Sequence, residues 1–170
     1  MRFRSPKESD ASVEAIEKVY RLRYYAFLKV AASVAGERQA GDAVHAGFVR
    51  ALRHRDSFRG ESSLDTWLWK LVVNAARDLR SGERTHDTES DDALVESGDH
   101  PAADNALVRG AIARLPARQR IAVFLRYYAD LDYRAIAVVL GVERGTVSAT
   151  LHSAHETIRQ QIEEARCKIF

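Results

Sequence analysis

An aromatic and an arginine, Phe58 and Arg59, stand together in a short stretch punctuated by glycine and serine, Arg55-Asp-Ser-Phe-Arg-Gly-Glu-Ser-Ser63. Directly after it, Lys70, Asn74, Arg77 and Arg80 return at three- and four-residue steps. That spacing lines them along one side of a helix capped by Ser63 and running to about Arg80, whose other side is Leu64, Trp67, Leu68, Leu71, Val72, Ala75 and Leu79. Rings stack on unpaired bases, and Arg and Lys hold a phosphate backbone, so the chemistry on offer is recognition of single-stranded nucleic acid. Packing competes for the same aromatics. Trp67 falls at core spacing, Phe58 suits a core or a stacking role, and Trp69 fits either side.

A second constellation lies near the C-terminus. Asp132 can cap a short helix, Tyr133 to Leu140, which stops at Gly141, where a left-handed residue costs least. The chain restarts at Arg144-Gly145-Thr146-Val147, and Val147, Leu151, Ala154, Ile158 and Ile162 then share one face of a long helix. Two helices joined by a tight glycine turn form a helix-turn-helix pattern. The first helix braces a DNA backbone and the second offers its N-terminal side chains to base edges. A generic antiparallel helix pair is the competing reading.

The elements that must position these groups read as helices throughout. Val13, Ile16, Val19 and Tyr20, then Tyr24, Phe27, Leu28 and Ala31, describe one or two amphipathic helices ending at Gly36. The pattern predicts a further helix capped by Asp42, with Val44, Phe48, Val49 and Leu52 as its apolar stripe and Arg50, Arg53 and Arg55 facing away. Asn105 to Leu115 is expected as a helix, followed by another from Pro116 to about Tyr128 with Ile121, Phe124 and Leu125 inward. No stretch alternates as a strand would, so the expected class is all-α.

Charge divides the chain. The net charge is +2, but residues 1–80 carry 15 basic and 10 acidic side chains, residues 81–104 carry 1 and 8, and residues 105–170 carry 10 and 6. Two basic blocks therefore flank an acidic bridge. Basic blocks suit polyanion binding, because each Lys or Arg on a phosphate releases counterions, although solvated helix faces would look similar. The bridge has few apolar residues and no helical period, so two small helical domains, 1–80 and 105–170, are expected on a flexible acidic linker, 81–104.

Other classes find little footing. No apolar run is long enough for a membrane span, no signal core follows Met1-Arg2-Phe3-Arg4, and a cytoplasmic protein is expected. The single cysteine, Cys167, cannot form an internal disulfide, and His45 and His54 have no second ligand at a telling spacing, so neither a metal site nor a cofactor is expected. With no Gly-rich phosphate loop and no nucleophile elbow, an enzyme has little support.

Two motif sets resemble the extracytoplasmic-function (ECF) sigma factors of the sigma-70 family, over nearly all of residues 12–165. The first is Phe58-Arg59-Gly60 with Trp67-Leu-Trp69-Lys70-Leu-Val-Val-Asn74-Ala-Ala-Arg77-Asp78. The second comprises Leu115-Pro116-Ala-Arg118-Gln-Arg120, Tyr133-Arg134-Ala-Ile-Ala137 and Leu140-Gly141-Val-Glu-Arg144-Gly145-Thr146-Val147. The resemblance implies a sigma-2-like bundle and a sigma-4-like helix-turn-helix, with core RNA polymerase and promoter DNA as partners and an anti-sigma factor as a further one. It places Asp42, Val44, His45, Phe48, Val49 and Arg50 on the clamp helices of the largest polymerase subunit, and the C-terminal domain near the flap of the second-largest. It assigns Phe58, Arg59, Lys70, Asn74, Arg77 and Arg80 to the minus-ten element. To the minus-thirty-five element it assigns Arg118, Arg134, Arg144, Gly145, Thr146, Ser148, Ala149, Thr150 and His152.

The chain departs from the family pattern in three places. Gly41-Asp42 and His45-Ala46 stand where an acidic pair, Gln and a further acid are usual; Ala135 replaces the usual Glu before Ile-Ala; and the usually basic recognition stretch reads Ser148-Ala-Thr-Leu-His-Ser-Ala-His155. Fewer phosphate contacts, and weak or helper-dependent binding by this domain, are the expected consequences. Two other readings stand beside the promoter-specific initiation factor. One is a sigma-like interaction protein that does not initiate alone, and the other is a plain helix-turn-helix repressor or activator, which leaves Phe58 to Asp78 unexplained.

Overall fold

The computed structural model describes residues 11–83 and 103–167, and the described residues are helical with short turns. The chain order is α1 (Val13–Ala35), α2 (Glu37–His54), a single 3-10 turn (Arg55–Ser57), α3 (Leu64–Glu83), α4 (Ala103–Ala113), α5 (Ala117–Tyr127), α6 (Tyr133–Leu140) and α7 (Arg144–Cys167). Most of the expected linker, from 84 to 102, lies outside the described residues. At its margins, residues 81–83 finish α3 and residues 103–104 begin α4.

Local chemistry sets the helix ends. Ser12 and Ser63 accept hydrogen bonds from the amides of Ala15 and Thr66, each at 3.1 Å, which satisfies first-turn donors of α1 and α3. Residues 13–35 form one helix rather than two. Asp42 is not a cap: α2 starts at Glu37, directly after Gly36, which at φ +84° closes α1 and admits α2 with a one-residue link. Only glycine adopts that backbone cheaply, so the turn needed no separate capping side chain. Pro116 is the cap of α5 rather than its first residue, and α4 ends at Ala113.

Helices α1, α2 and α3 pack mutually around Phe27, Val44, Phe48, Leu68, Trp69, Val72 and Val73, all buried. Trp69 is fully buried and stacks on Phe27 with ring centroids 3.9 Å apart. At the crossing of α2 and α3, Gly47 lets the backbones meet; a β-carbon there would stand 2.7 Å from Val72 Cγ2 and 2.8 Å from Val72 Cα. Gly47→Ala is therefore expected to destabilise the protein by about 1–3 kcal/mol despite alanine's better helix propensity. Thermal unfolding followed by circular dichroism checks this; an unchanged or raised Tm would show that the crossing yields without strain.

In the second half, α7 packs on α4, α5 and α6 through Val147, Leu151 and Ala154. The halves also meet each other. Helix α1 lies against α5 and α3 against α6, so buried residues of both halves form one continuous cluster. Nothing in the sequence pattern announced this contact.

Candidate nucleic-acid interface

The helix-turn-helix is built as its turn residues require. Asp132 Oδ1 accepts from the Ala135 amide at 2.7 Å, opening α6, and Gly141 at φ +68° closes it. The Gly141 and Val142 amides both turn back onto the Ala137 carbonyl, which swings the chain into α7 within three residues. Arg144, Gly145, Ser148, Ala149 and His152 are exposed along one side of α7, and Arg118 on α5 and Arg134 on α6 are exposed as well. Thr146 and Thr150 are half-buried, and the Thr150 hydroxyl donates to the Thr146 carbonyl at 2.7 Å. Two polar ties brace α7 against α5: Gln119 Nε2 donates to Ser153 Oγ at 3.0 Å, and the Tyr127 hydroxyl meets His155 Nε2 at 2.9 Å. Arg144 is the one cation on the exposed first turns of α7. What that side of α7 offers is Arg144, small side chains and hydrogen-bonding hydroxyl and imidazole groups.

In the first half, Lys70 is exposed, whereas Asn74 and Arg77 are half-buried at i+4 and i+7 on the same face of α3. Burial holds the Arg77 pKa below its ordinary value, the mark of a partly desolvated guanidinium. Arg80 lies round the side of the helix, where its Nη1 donates to the Val34 carbonyl at 3.4 Å. Phe58 is half-buried, its ring tilted against Trp67 at 5.2 Å, and Arg59 beside it is exposed. The loop thus places a half-buried aromatic and an exposed cation beside Trp67 of α3.

The candidate polymerase-facing residues divide. Asp42 and His45 are exposed and Val49 partly so, on one face of α2. Val44 and Phe48 point the opposite way, 0% and 6% exposed, and hold α2 in the core. Arg50 pairs with Asp78 at 2.8 Å, tying α2 to α3. Among the described residues no group of three or more His, Cys, Asp or Glu could hold a metal ion, and no helix is long and apolar enough to cross a membrane.

Comparison with known proteins agrees with both halves of this geometry. Residues 15–85 match sigma-70 region 2, and residues 106–166 match sigma-70 region 4. The chain is 30% identical over 143 residues to the RNA polymerase sigma-H factor of Pseudomonas aeruginosa, covering 74% of each protein. The chain is an ECF sigma factor of the sigma-70 family. This sigma factor is also 28% identical over 139 residues to the ECF RNA polymerase sigma-E factor of Escherichia coli K12, covering 72% of this chain and 73% of that one. Among solved structures it is similar in fold to the sigma factor RpoE in complex with the anti-sigma factor NepR from Bartonella quintana. That match has a TM-score of 0.75 and 20% identity over 89% of this chain and 98% of that one. It is also similar to CnrH in complex with the cytosolic domain of CnrY, with a TM-score of 0.67 and 18% identity over 93% and 94% of the two chains. The sigma factor is a non-enzymatic initiation factor that directs RNA polymerase.

Sequence reasoning missed two residues of this arrangement. Arg120 is buried, and Arg23 sits between α3 and the end of α5. An arginine on a helix reads as solvated, and only the tertiary structure shows which carbonyls it reaches.

Proposed function

We propose that the sigma factor engages core RNA polymerase through the exposed Asp42, His45 and Val49 face of α2, with Arg50 at its edge and Val44 and Phe48 holding that face in place. The C-terminal half sits near the flap of the second-largest subunit. The loop at Phe58 and Arg59, with Lys70, Asn74 and Arg77 on α3, captures and holds the melted strand of the minus-ten element, and Arg80 supports that helix. The helix-turn-helix docks at the minus-thirty-five element through Arg118, Arg134, Arg144, Gly145, Ser148, Ala149 and His152, while Thr146 and Thr150 shape the turn behind them.

The observation that carries this reading is the juxtaposition of the half-buried Phe58 and exposed Arg59 with Trp67 of α3, the helix that carries Lys70, Asn74 and Arg77, on the chain that also presents the exposed face of α7. A helix-turn-helix repressor has no use for the first of these. Unstacking a base costs a few kcal/mol, which ring stacking and backbone contacts offset. An anti-sigma factor is proposed as a further partner, since the structural relatives RpoE and CnrH were solved with NepR and CnrY. The site of action is the cytoplasm, at the nucleoid when the sigma factor is held by polymerase.

A second reading rests on α7 itself. With Arg144 as the one cation on its exposed first turns, the C-terminal half is short of phosphate contacts, and a helper protein would compensate. In vitro transcription with purified core polymerase on a promoter library, with core binding followed in parallel, tests both readings. Core-dependent transcripts sharing two spaced upstream elements are expected. Core binding without transcripts would favour the helper-dependent form, and absence of core binding would overturn the assignment of the α2 face.

A further inference from the structure

Between Arg144 and Arg159 helix α7 carries no permanent cation, and the ionisable side chains in that stretch are His152, His155 and Glu156. Gly145, Ser148, Ala149 and His152 fall at i, i+3, i+4 and i+7, so they share one side of the helix, and all four are exposed. The first three are small. They let the backbone of α7 come close to a base edge, and His152 is then the first long side chain on that side, about 12 Å along the axis from Arg144. In a helix-turn-helix the N-terminal residues of the second helix meet the bases, so a group two turns further on stands towards the phosphates of the groove wall.

The two histidines differ in their duties. His155 Nε2 meets the Tyr127 hydroxyl of α5 at 2.9 Å. A phenol can donate to a neutral imidazole nitrogen or accept from a protonated one, so this brace holds in either state. Among the described residues no hydrogen bond or ion pair involves His152. One turn on, Glu156 pairs with Arg159 at 2.8 Å, and that hydrogen bond and charge, with a smaller contribution from the charge of His152, hold the Glu156 carboxyl below its ordinary pKa. The helices packed against α7 bring arginines and tyrosines but, among the described residues, no imidazole: Arg118 and Tyr127 on α5, Tyr133 and Arg134 on α6, and Arg109 on α4. The turns add the carboxylates of Asp130, Asp132 and Glu143. As classes, guanidiniums and phenols titrate at about 10 or above and carboxylates near about 4, so imidazole is the group that changes charge close to neutrality.

We propose that His152 is a proton-dependent phosphate contact: protonated, it grips the DNA backbone beside the minus-thirty-five element, and neutral, it lets go. The proposal rests on the promoter-reading role of α7 given above and adds to it the kind of contact and its regulation. A phosphate stabilises an imidazolium over a neutral imidazole, so binding takes up a proton and affinity rises as pH falls. Imidazoles as a class titrate near about 6.5, which makes the gain full below about pH 6 and gone above about pH 8. A phosphate contact carries no sequence information, so the gain extends to any duplex, and it steepens the dependence on salt.

The test is equilibrium binding of holoenzyme, assembled from the full-length sigma factor and purified core polymerase, to a promoter duplex recovered from the library and to the same duplex with its minus-thirty-five element scrambled. Binding is measured at pH values of about 6 and about 8 over a series of salt concentrations. The wild type is expected to bind both duplexes about 10-fold more tightly at the lower pH, with a log–log salt slope steeper by about one unit. His152→Gln is expected to lose the pH response and the added slope, and His155→Gln to keep both. His152→Arg is expected to bind at the higher pH as the wild type does at the lower, which keeps the test decisive if the glutamine variant proves unstable. A wild type without the pH response, or a response undiminished in His152→Gln, would overturn the proposal. A response confined to the intact element would make His152 a base contact and overturn it as well. If the wild type binds both duplexes equally while its pH response follows His152, the phosphate contact stands and the promoter-reading role of α7 fails.

Discussion

Trp69→Ala is expected to cost about 3–5 kcal/mol, the largest single loss predicted for this protein. The indole is fully buried between the helices of the first half and lies on Phe27 with centroids 3.9 Å apart and planes 30° apart. Phe27 in turn meets Phe48 edge-on at 5.0 Å, so the ring joins α1, α2 and α3 in one stack. Truncation removes the largest fully buried side chain among the described residues and leaves a cavity that the helices, tied by Arg50–Asp78 and crossing closely at Gly47, have little freedom to close. Domains of this size are stable by only about 5–15 kcal/mol, so a large part of the margin would go. Urea unfolding followed by circular dichroism is the measurement. A loss below about 1 kcal/mol would mean that the stack repacks, and that the close contacts seen around Trp69 do not constrain it.

Phe58→Ala and Asn74→Ala are expected to slow or weaken promoter opening while leaving core-polymerase binding largely intact. Base–aromatic stacking is worth about 1–3 kcal/mol per base, so loss of the Phe58 ring should reduce the open complex by a factor of about 5 to 150. Asn74 offers hydrogen bonds from the same side of α3, and its loss is expected to cost about 10-fold at most. The two residues differ in their structural duties. Phe58 also leans on Trp67, so its removal loosens the loop, whereas among the described residues ties from α3 to its neighbours are made by Arg80 and Asp78 rather than by Asn74. Permanganate reactivity of the minus-ten region, measured beside the affinity for core polymerase, separates the cases. Equal loss of opening and of core binding would identify a folding or docking role and remove both residues from the DNA-reading surface.

These two results probe different levels of the same helix. Trp69 and Asn74 stand five residues apart on α3, yet one faces the core and the other a polar surface. The apolar stripe on α3 was legible because buried residues recur at the helical period, and the polar face was legible as its complement. Trp69 lay at the edge of that stripe, where periodicity is silent. The ring of Phe27, remote in sequence, decides its place.

Helix ends show the same division. Ser63, Asp132 and Gly141 act within three or four residues of themselves, so their side-chain and backbone chemistry dictated the ends of α3 and α6 before any packing was known. Asp42 had the right chemistry for a cap but not the position. The polar run Glu37-Arg-Gln reads as a loop, yet it is the first turn of α2, because burial of Ala40, Ala43 and Val44 against the neighbouring helices stabilises helix there. The core-facing direction of Val44 and Phe48 was contained in the apolar stripe of α2, yet the family resemblance placed both with Asp42, His45 and Val49 on the polymerase-facing side, and their burial shows that they face the core instead.

By itself the sequence determined the all-α class, the positions of most helix boundaries, the helix-turn-helix and the pairing of an aromatic loop with a basic helix face. Each of these follows from interactions between residues a few positions apart, where residue type and spacing are sufficient. Only the tertiary structure decided how the halves meet, why Gly47 is glycine, and where Arg23 and Arg120 spend their hydrogen bonds. Those outcomes depend on groups brought together from distant parts of the chain: Gly47 with Val72, Arg120 with Ser33, Arg23 with Ala129. A carbonyl left unpaired at a helix end has the same identity in every sequence, and only the folded chain can show which arginine reaches it.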